Sequence, residues 1–144
     1  MKPNLIRSLL LSAAAIVLAG IPVSAKVGVA SVVEGEPTGL PPGGTERVLR
    51  VGIDMNADEK VTTKDNDRAH LVFMDGSSLT VGPNSVLLID KYVYNPDQKT
   101  GEMALNMQRG TLRFVGGIIS KKAEVTITTP SAQMAIRGAI MMAI

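Results

Sequence analysis

The chain has 144 residues, enough for one domain and a short leader. Aromatic residues make up 3% of it with no Trp, so any core must be built from Val, Ile, Leu and Met, and the absence of Cys excludes a disulfide, a thiolate nucleophile and a cysteine metal site. The formal net charge of +2 belongs to the leader: removing residues 1–25 takes Lys2 and Arg7 and no acid, leaving 13 basic and 13 acidic side chains and no electrostatic case for nucleic-acid binding.

Lys2 and Arg7 give a positive start, Leu9 to Leu18 is an uncharged apolar run, and Pro22 interrupts it. Val23-Ser24-Ala25 then satisfies the small-x-small rule, so cleavage is expected between Ala25 and Lys26. Residues 1–25 read as a helical signal peptide and 26–144 as one domain, which makes the protein periplasmic or secreted. An uncleaved leader would be its membrane attachment, since Ser8 to Ala25 carries no charge.

In chain order, Lys26 to Val33 alternates as a first strand, and Glu36 to Thr45 holds so many Pro and Gly residues that a loop is expected. A strand at Arg47 to Ile53, a polar turn at Asp54 to Glu59 and a β-branched strand at Lys60 to Thr63 follow. Next come a hairpin at Arg68 to Val81, a long strand at Ser85 to Tyr94, a turn at Asn95 to Gly101 and a partner strand at Glu102 to Gln108. Thr111 to Val115 is a further strand, Gly116-Gly117 opens a linker, and Ala123 to Thr129 and Gln133 to Arg137 are the last strands. Outside the leader no window has a helical period. The fold class is therefore all-β: a compact antiparallel β-rich domain, drawn as a β-roll or a short irregular β-solenoid, with a β-sandwich as the alternative.

The register of the hairpin follows from its faces. A two-residue loop at Asp75-Gly76 would pair Leu71 with Thr80 and split the apolar residues between both faces. A three-residue loop of Met74, Asp75 and Gly76 pairs Leu71 with Leu79 and Ala69 with Val81 on one face, and puts Gly76 at the left-handed position. Asp75, Gly76 and Ser77 are thus expected to be a structural turn.

Candidate sites are sparse. Asp54, Asn56, Asp58 and Asp65 fall at positions 1, 3, 5 and 12 of a calcium loop, but Glu59 stands where its sharp turn needs Gly and the flanks read as strands, so no metal site is expected. His70 is the single histidine and lies opposite the Ala69, Leu71, Phe73 face, so it reads as solvated. Ser77, Ser78 and Ser85 read as turn and cap residues, and Met103 and Met107 as adaptable core. With no catalytic constellation and no cofactor motif, the chain is not expected to be an enzyme.

With Gly28-Val29, Gly35, Gly52, Asp58-Glu59, Val61-Thr62-Thr63, Arg68-Ala69-His70-Leu71, Asp75-Gly76-Ser77-Ser78-Leu79, Pro83-Asn84-Ser85, Gly110, Thr128-Thr129-Pro130 and Ile136-Arg137-Gly138 in view, residues 27–140 resemble the FecR-type domain of ferric-citrate regulators. The resemblance implies an all-β periplasmic domain that works by protein contact, meeting an outer-membrane transporter while a cytoplasmic segment controls a sigma factor. This chain departs from that plan. Only Met1 to Arg7 precede its apolar run, so no anti-sigma segment is expected, and Ala139 follows Arg137-Gly138 where the family usually has Thr. The domain is expected either to be truncated or to close with Ala139 to Ile144. The leading functional expectation is a binding or regulatory module that recognises a protein partner in the envelope, linked to surface signalling. The alternatives are a structural, self-associating envelope protein and a glycan-binding module.

Overall fold

The computed structural model describes residues 25–138 and 140–143; the expected leader lies outside them, apart from Ala25. In chain order the elements are β1 (Lys26–Glu34), β2 (Thr38–Leu40), β3 (Arg47–Val48), β4 (Asp54–Asn56), β5 (Lys60–Thr62), β6 (Arg68–Phe73) and β7 (Ser78–Val81). They continue with β8 (Val86–Asn95), β9 (Thr100–Arg109), β10 (Leu112–Val115), α1 (Ile118–Lys122), β11 (Val125–Thr128), β12 (Gln133–Ile136) and β13 (Ile140–Ala143).

The strands form two sheets. Sheet A has the order β13-β10-β7-β6-β1-β4, and sheet B the order β12-β11-β9-β8-β5-β2-β3. The chain passes back and forth between them: β1 is in A, β2 and β3 in B, β4 in A, β5 in B, β6 and β7 in A, β8 and β9 in B, and so on to β13 in A. The fold is all-β, and its one parallel pairing among the described strands joins β9 to β11, from Val125 opposite Met103 to Thr128 opposite Asn106. A parallel neighbour needs a crossover, and here β10 and α1 supply it.

Period-two alternation builds the core. Ala69, Leu71 and Phe73 on β6, Leu79 and Val81 on β7, and Leu112 and Phe114 on β10 turn inward from sheet A. Leu87 and Ile89 on β8, Met103, Leu105 and Met107 on β9, and Val125 and Ile127 on β11 meet them from sheet B. Met103 and Met107 are core residues, 3% and 2% exposed. Phe73 stacks on Tyr92 with ring centroids 5.3 Å apart, across the two sheets.

The central hairpin has the one-face register. Ala69 lies opposite Val81 and Leu71 opposite Leu79, Phe73 N–H donates to Ser77 O at 2.9 Å, and Gly76 has φ +82°. A Cβ at Gly76 would meet nothing within 4 Å. Gly76→Ala should therefore cost about 1 kcal/mol, from backbone strain alone. At Gly110 (φ +96°) a Cβ would run into the Ser85 side chain and lie 2.5 Å from Ser85 Cα. Gly110→Ala adds a backbone collision to the same strain, so its loss in a urea titration should be at least about twice that of Gly76→Ala. Equal losses would mean that the β7–β8 turn yields freely.

Four expectations are corrected. The segment 36–45 is not all loop, because it contains β2. Pro37 and Pro41 flank that strand, so no ladder N–H is missing inside it, and Gly39 lets it approach closely: a Cβ there would sit 2.5 Å from Glu59 Oε1 and 2.8 Å from Leu49 Cδ2. The strand expected at 47–53 stops at Val48, since Leu49 turns into the core with its N–H on Pro37 O. The turn expected at 54–59 is confined to its second half, because Asp54–Asn56 form β4, paired with the start of β1. The linker after Gly117 contains α1, five residues long with Ile119 buried.

Candidate functional site

The polar residues that stand out in the sequence turn inward. Asp75 is 2% exposed, and its carboxylate is the hub of a network joining both sheets to α1. Asp75 Oδ1 accepts Ser77 Oγ–H at 2.6 Å, Tyr92 O–H at 3.0 Å and Ser77 N–H at 3.3 Å. Asp75 Oδ2 accepts Ile119 N–H at 3.1 Å, and Asp75 O accepts Ile118 N–H at 3.0 Å. Tyr92 O in turn accepts Asp75 N–H at 2.9 Å. The first turn of α1, which has no side-chain cap of its own, is thus capped from a hairpin 44 positions away in sequence.

Burial away from water pushes the Tyr92 phenol well above its ordinary value; the Asp75 N–H donated to it pulls the other way, and the Asp75 charge adds to the rise. The sign for stability follows. Below the ordinary phenol value of about 10, Tyr92 is protonated whether folded or unfolded, and its contribution is complete. Above it the unfolded chain ionises first, so that contribution is lost as pH rises toward the folded value. Tyr92→Phe should accordingly lose stability more slowly than the natural chain above about pH 10, in thermal melts at matched ionic strength. Parallel alkaline profiles would overturn the assignment.

Two more carboxylates are buried. Glu59, fully buried, accepts Arg47 Nε–H and Nη2–H at 3.2 and 2.9 Å on Oε1, and Asn56 N–H at 2.8 Å on Oε2. Asp67, 8% exposed, accepts Glu36 N–H at 2.9 Å and Lys64 N–H at 2.8 Å. At the far end of the hairpin Thr63 Oγ1–H donates to Gly82 O at 2.6 Å and accepts Ser85 N–H at 2.9 Å, while Ser85 Oγ accepts Thr111 N–H at 3.0 Å. Among the described residues no buried side-chain nitrogen or oxygen lacks a partner. Chemically these groups hold turns; each carboxylate has its oxygens engaged by donors of the fold.

The other candidates are dispersed. Asp54 pairs with Lys26 at 2.8 Å, Asn56 sits on β4 beside Glu59, Asp58 occupies a left-handed turn (φ +59°), and Asp65 lies in a separate turn beyond β5. Among the described residues no group of three or more His, Asp or Glu side chains is placed to hold a metal ion. His70 faces outward, half-buried, with Nδ1 2.7 Å from Thr80 Oγ1. Arg137 is exposed, and Gly138 N–H donates to Ser120 O at 2.8 Å, tying the β12–β13 turn to α1. Surface hollows of about 190–290 Å³ are open to solvent, and no described helix is long and apolar enough to cross a membrane.

Sequence reasoning missed the burial of Asp75, Glu59 and Asp67. Glu59 stood out as the wrong residue for a calcium loop and as half of the acidic step Asp58-Glu59 in the family resemblance, and Asp75 as a turn former. The signal that would have found Glu59 is a cation, Arg47, 12 positions before it; for Asp75 no local signal exists.

A family model described as FecR protein matches residues 59–143. No curated protein and no solved structure matches the chain. The matched span starts at buried Glu59 and takes in Asp67, the Asp75 hairpin, Ser85, Gly110 and the Arg137-Gly138 turn, whereas Gly28-Val29, Gly35 and Gly52 precede it. Since that span covers more than half of the sequence, the chain belongs to the FecR family.

Proposed function

We propose that the chain is a non-enzymatic extracytoplasmic module that recognises a protein partner in the cell envelope, in the service of surface signalling. Membership of the FecR family suggests an envelope signalling or regulatory role. The observation that carries the reading is the inward use of the polar motif residues: Asp75, Glu59, Asp67, Thr63 and Ser85 all serve the fold. Recognition then falls to sheet faces and strand edges, the surfaces proteins use for one another.

The test has two parts. The protein recovered from the extracytoplasmic fraction should begin at Lys26 by N-terminal sequencing; a chain confined to the cytoplasm would sink the location. Affinity capture from an envelope extract should enrich one protein partner, with light scattering showing a monomer. A concentration-independent oligomer that captures nothing would give the structural reading its place.

A further inference from the structure

The two sheets present unlike outer faces. In an antiparallel ladder, residues directly opposite each other share a face, so register defines rows across sheet A. One row runs Val29, Val72, Ser78, Val115, from β1 through β6 and β7 to β10. The next runs Val32, His70, Thr80, Arg113, and Arg68 lies opposite Glu34 at the border. These positions alternate with the buried Leu71, Leu79, Leu112 and Phe114, so they point away from the core. Val32 is 51% exposed and Met74, just beyond the row, 58% exposed. A hollow of about 190 Å³ lies where Lys26, Val29, Val72 and Met74 meet. On sheet B the corresponding outer row is Leu40, Lys60, Leu88, Asn106, Thr128, Gln133, whose two leucines are separated by Lys60 and whose other members are polar.

Single exposed valines need no explanation on a strand, but here Val29 and Val72 adjoin on β1 and β6 with Val32 and Met74 beside them, and Val115 continues the row on β10 beyond Ser78, giving a mainly apolar strip. At its border Glu34 lies opposite Arg68 and Asp54 pairs with Lys26, whereas Arg113 has Thr80 opposite it on β7. Arg68 and Arg113 are exposed, and the ion pairs of the described residues, Lys26–Asp54, Arg47–Glu59 and Lys91–Glu102, include neither.

We propose that the outer face of sheet A is the docking surface for the protein partner, which lays apolar side chains over the valine row and sets a carboxylate against Arg113. This rests on the reading of the chain as a protein-binding module. Charge complementarity selects the chemistry of the partner. The size of the face argues against a second copy: four strand spacings by four to six residues give about 300 Å², against the roughly 800 Å² per partner of a stable complex. A contact of that size suits a transient regulatory encounter.

The experiment places a benzophenone amino acid at Val72 on sheet A, at Thr126 on sheet B or at Gln133 on the β12 edge of the full chain, and irradiates each in envelope extract of the producing cells. The expected result is a protein adduct at Val72, at least about tenfold above the other two positions, whose crosslinked peptide carries Asp or Glu among apolar residues. Arg113→Glu should reduce that adduct about tenfold with the thermal midpoint of the chain unchanged; Val32→Glu serves as the second variant if the first does not fold. Adducts confined to Thr126 or Gln133 would overturn the face while leaving the protein-binding reading intact. A lipid adduct or a crosslink between two copies at Val72 would overturn the occupant. No protein adduct at any position would overturn both readings.

Discussion

Asp75→Ala is expected to lower the unfolding free energy by about 3–5 kcal/mol, the largest loss for any single side chain near the hairpin. The reason is the number of donors that converge on one carboxylate. Tyr92 O–H, Ser77 Oγ–H and Ile119 N–H are all held there, and Tyr92, Ser77 and Ile119 are 8%, 0% and 0% exposed. Removing the acceptor leaves those donors without water to replace it, and each buried unpaired donor costs about 1–3 kcal/mol. The change also uncaps α1, so the loss should include protection of the Ile119 amide in hydrogen exchange. Tyr92→Phe deletes one donor to the carboxylate and also the acceptor of the buried Asp75 N–H, so it should cost about 1–3 kcal/mol by comparison. A urea titration showing less than about 1 kcal/mol for Asp75→Ala would mean that water reaches the carboxylate and the network is not a latch.

The second large effect concerns Glu59 and Arg47. Arg47→Met removes the guanidinium from a fully buried carboxylate and leaves it only the donors of Asn56. Breaking a buried pair from one side costs about 3–5 kcal/mol when both partners are sealed from water. Here the Arg47 side chain keeps 31% of its surface, so the pair is partly solvated and a loss of about 2–3 kcal/mol is expected. Replacing both residues, Arg47→Met with Glu59→Met, should recover at least half of it, because no charge is then stranded. A double-mutant cycle measures the coupling, and additive losses would show that the two side chains act independently. The pair matters to the fold because β2 passes directly over it: Gly39 has no room for a Cβ beside Glu59 Oε1.

Much of the fold was legible where the chain interacts with near neighbours. The register of the central hairpin followed from keeping Leu71 and Leu79 on one face, and the outward position of His70 from the same alternation. The long strands β8 and β9 followed from their apolar runs and the turn between them. What the sequence hid has one physical character: it depends on partners far along the chain. β2 looks like a loop because its ladder partners, β3 and β5, and the room for Gly39 are properties of the assembled sheet. α1 has no local cap or helical period, since its cap is the Asp75 carboxylate. Asp75 and Glu59 are acidic residues in polar stretches, where solvent exposure is the ordinary outcome. Their burial is decided by Tyr92 and Ile119 in one case and Arg47 in the other. The candidate surface was legible in part: alternation put the valines of β1 and β6 on strands, but joining them into a row needed the pairing of β1, β6, β7 and β10.

The passage of the chain back and forth between the sheets bears on how the protein breaks as well as how it is built. Neither sheet is a continuous length of polypeptide, so no single cut can release one sheet from the other. A protease entering the exposed loop at residues 41–44 would leave β1 on one fragment, wedged between β4 and β6, and β2 on the same fragment, wedged between β3 and β5. Both pieces would stay interlocked through four ladders, two in each sheet, and the nicked protein would keep its shape until the whole of it unfolded at once.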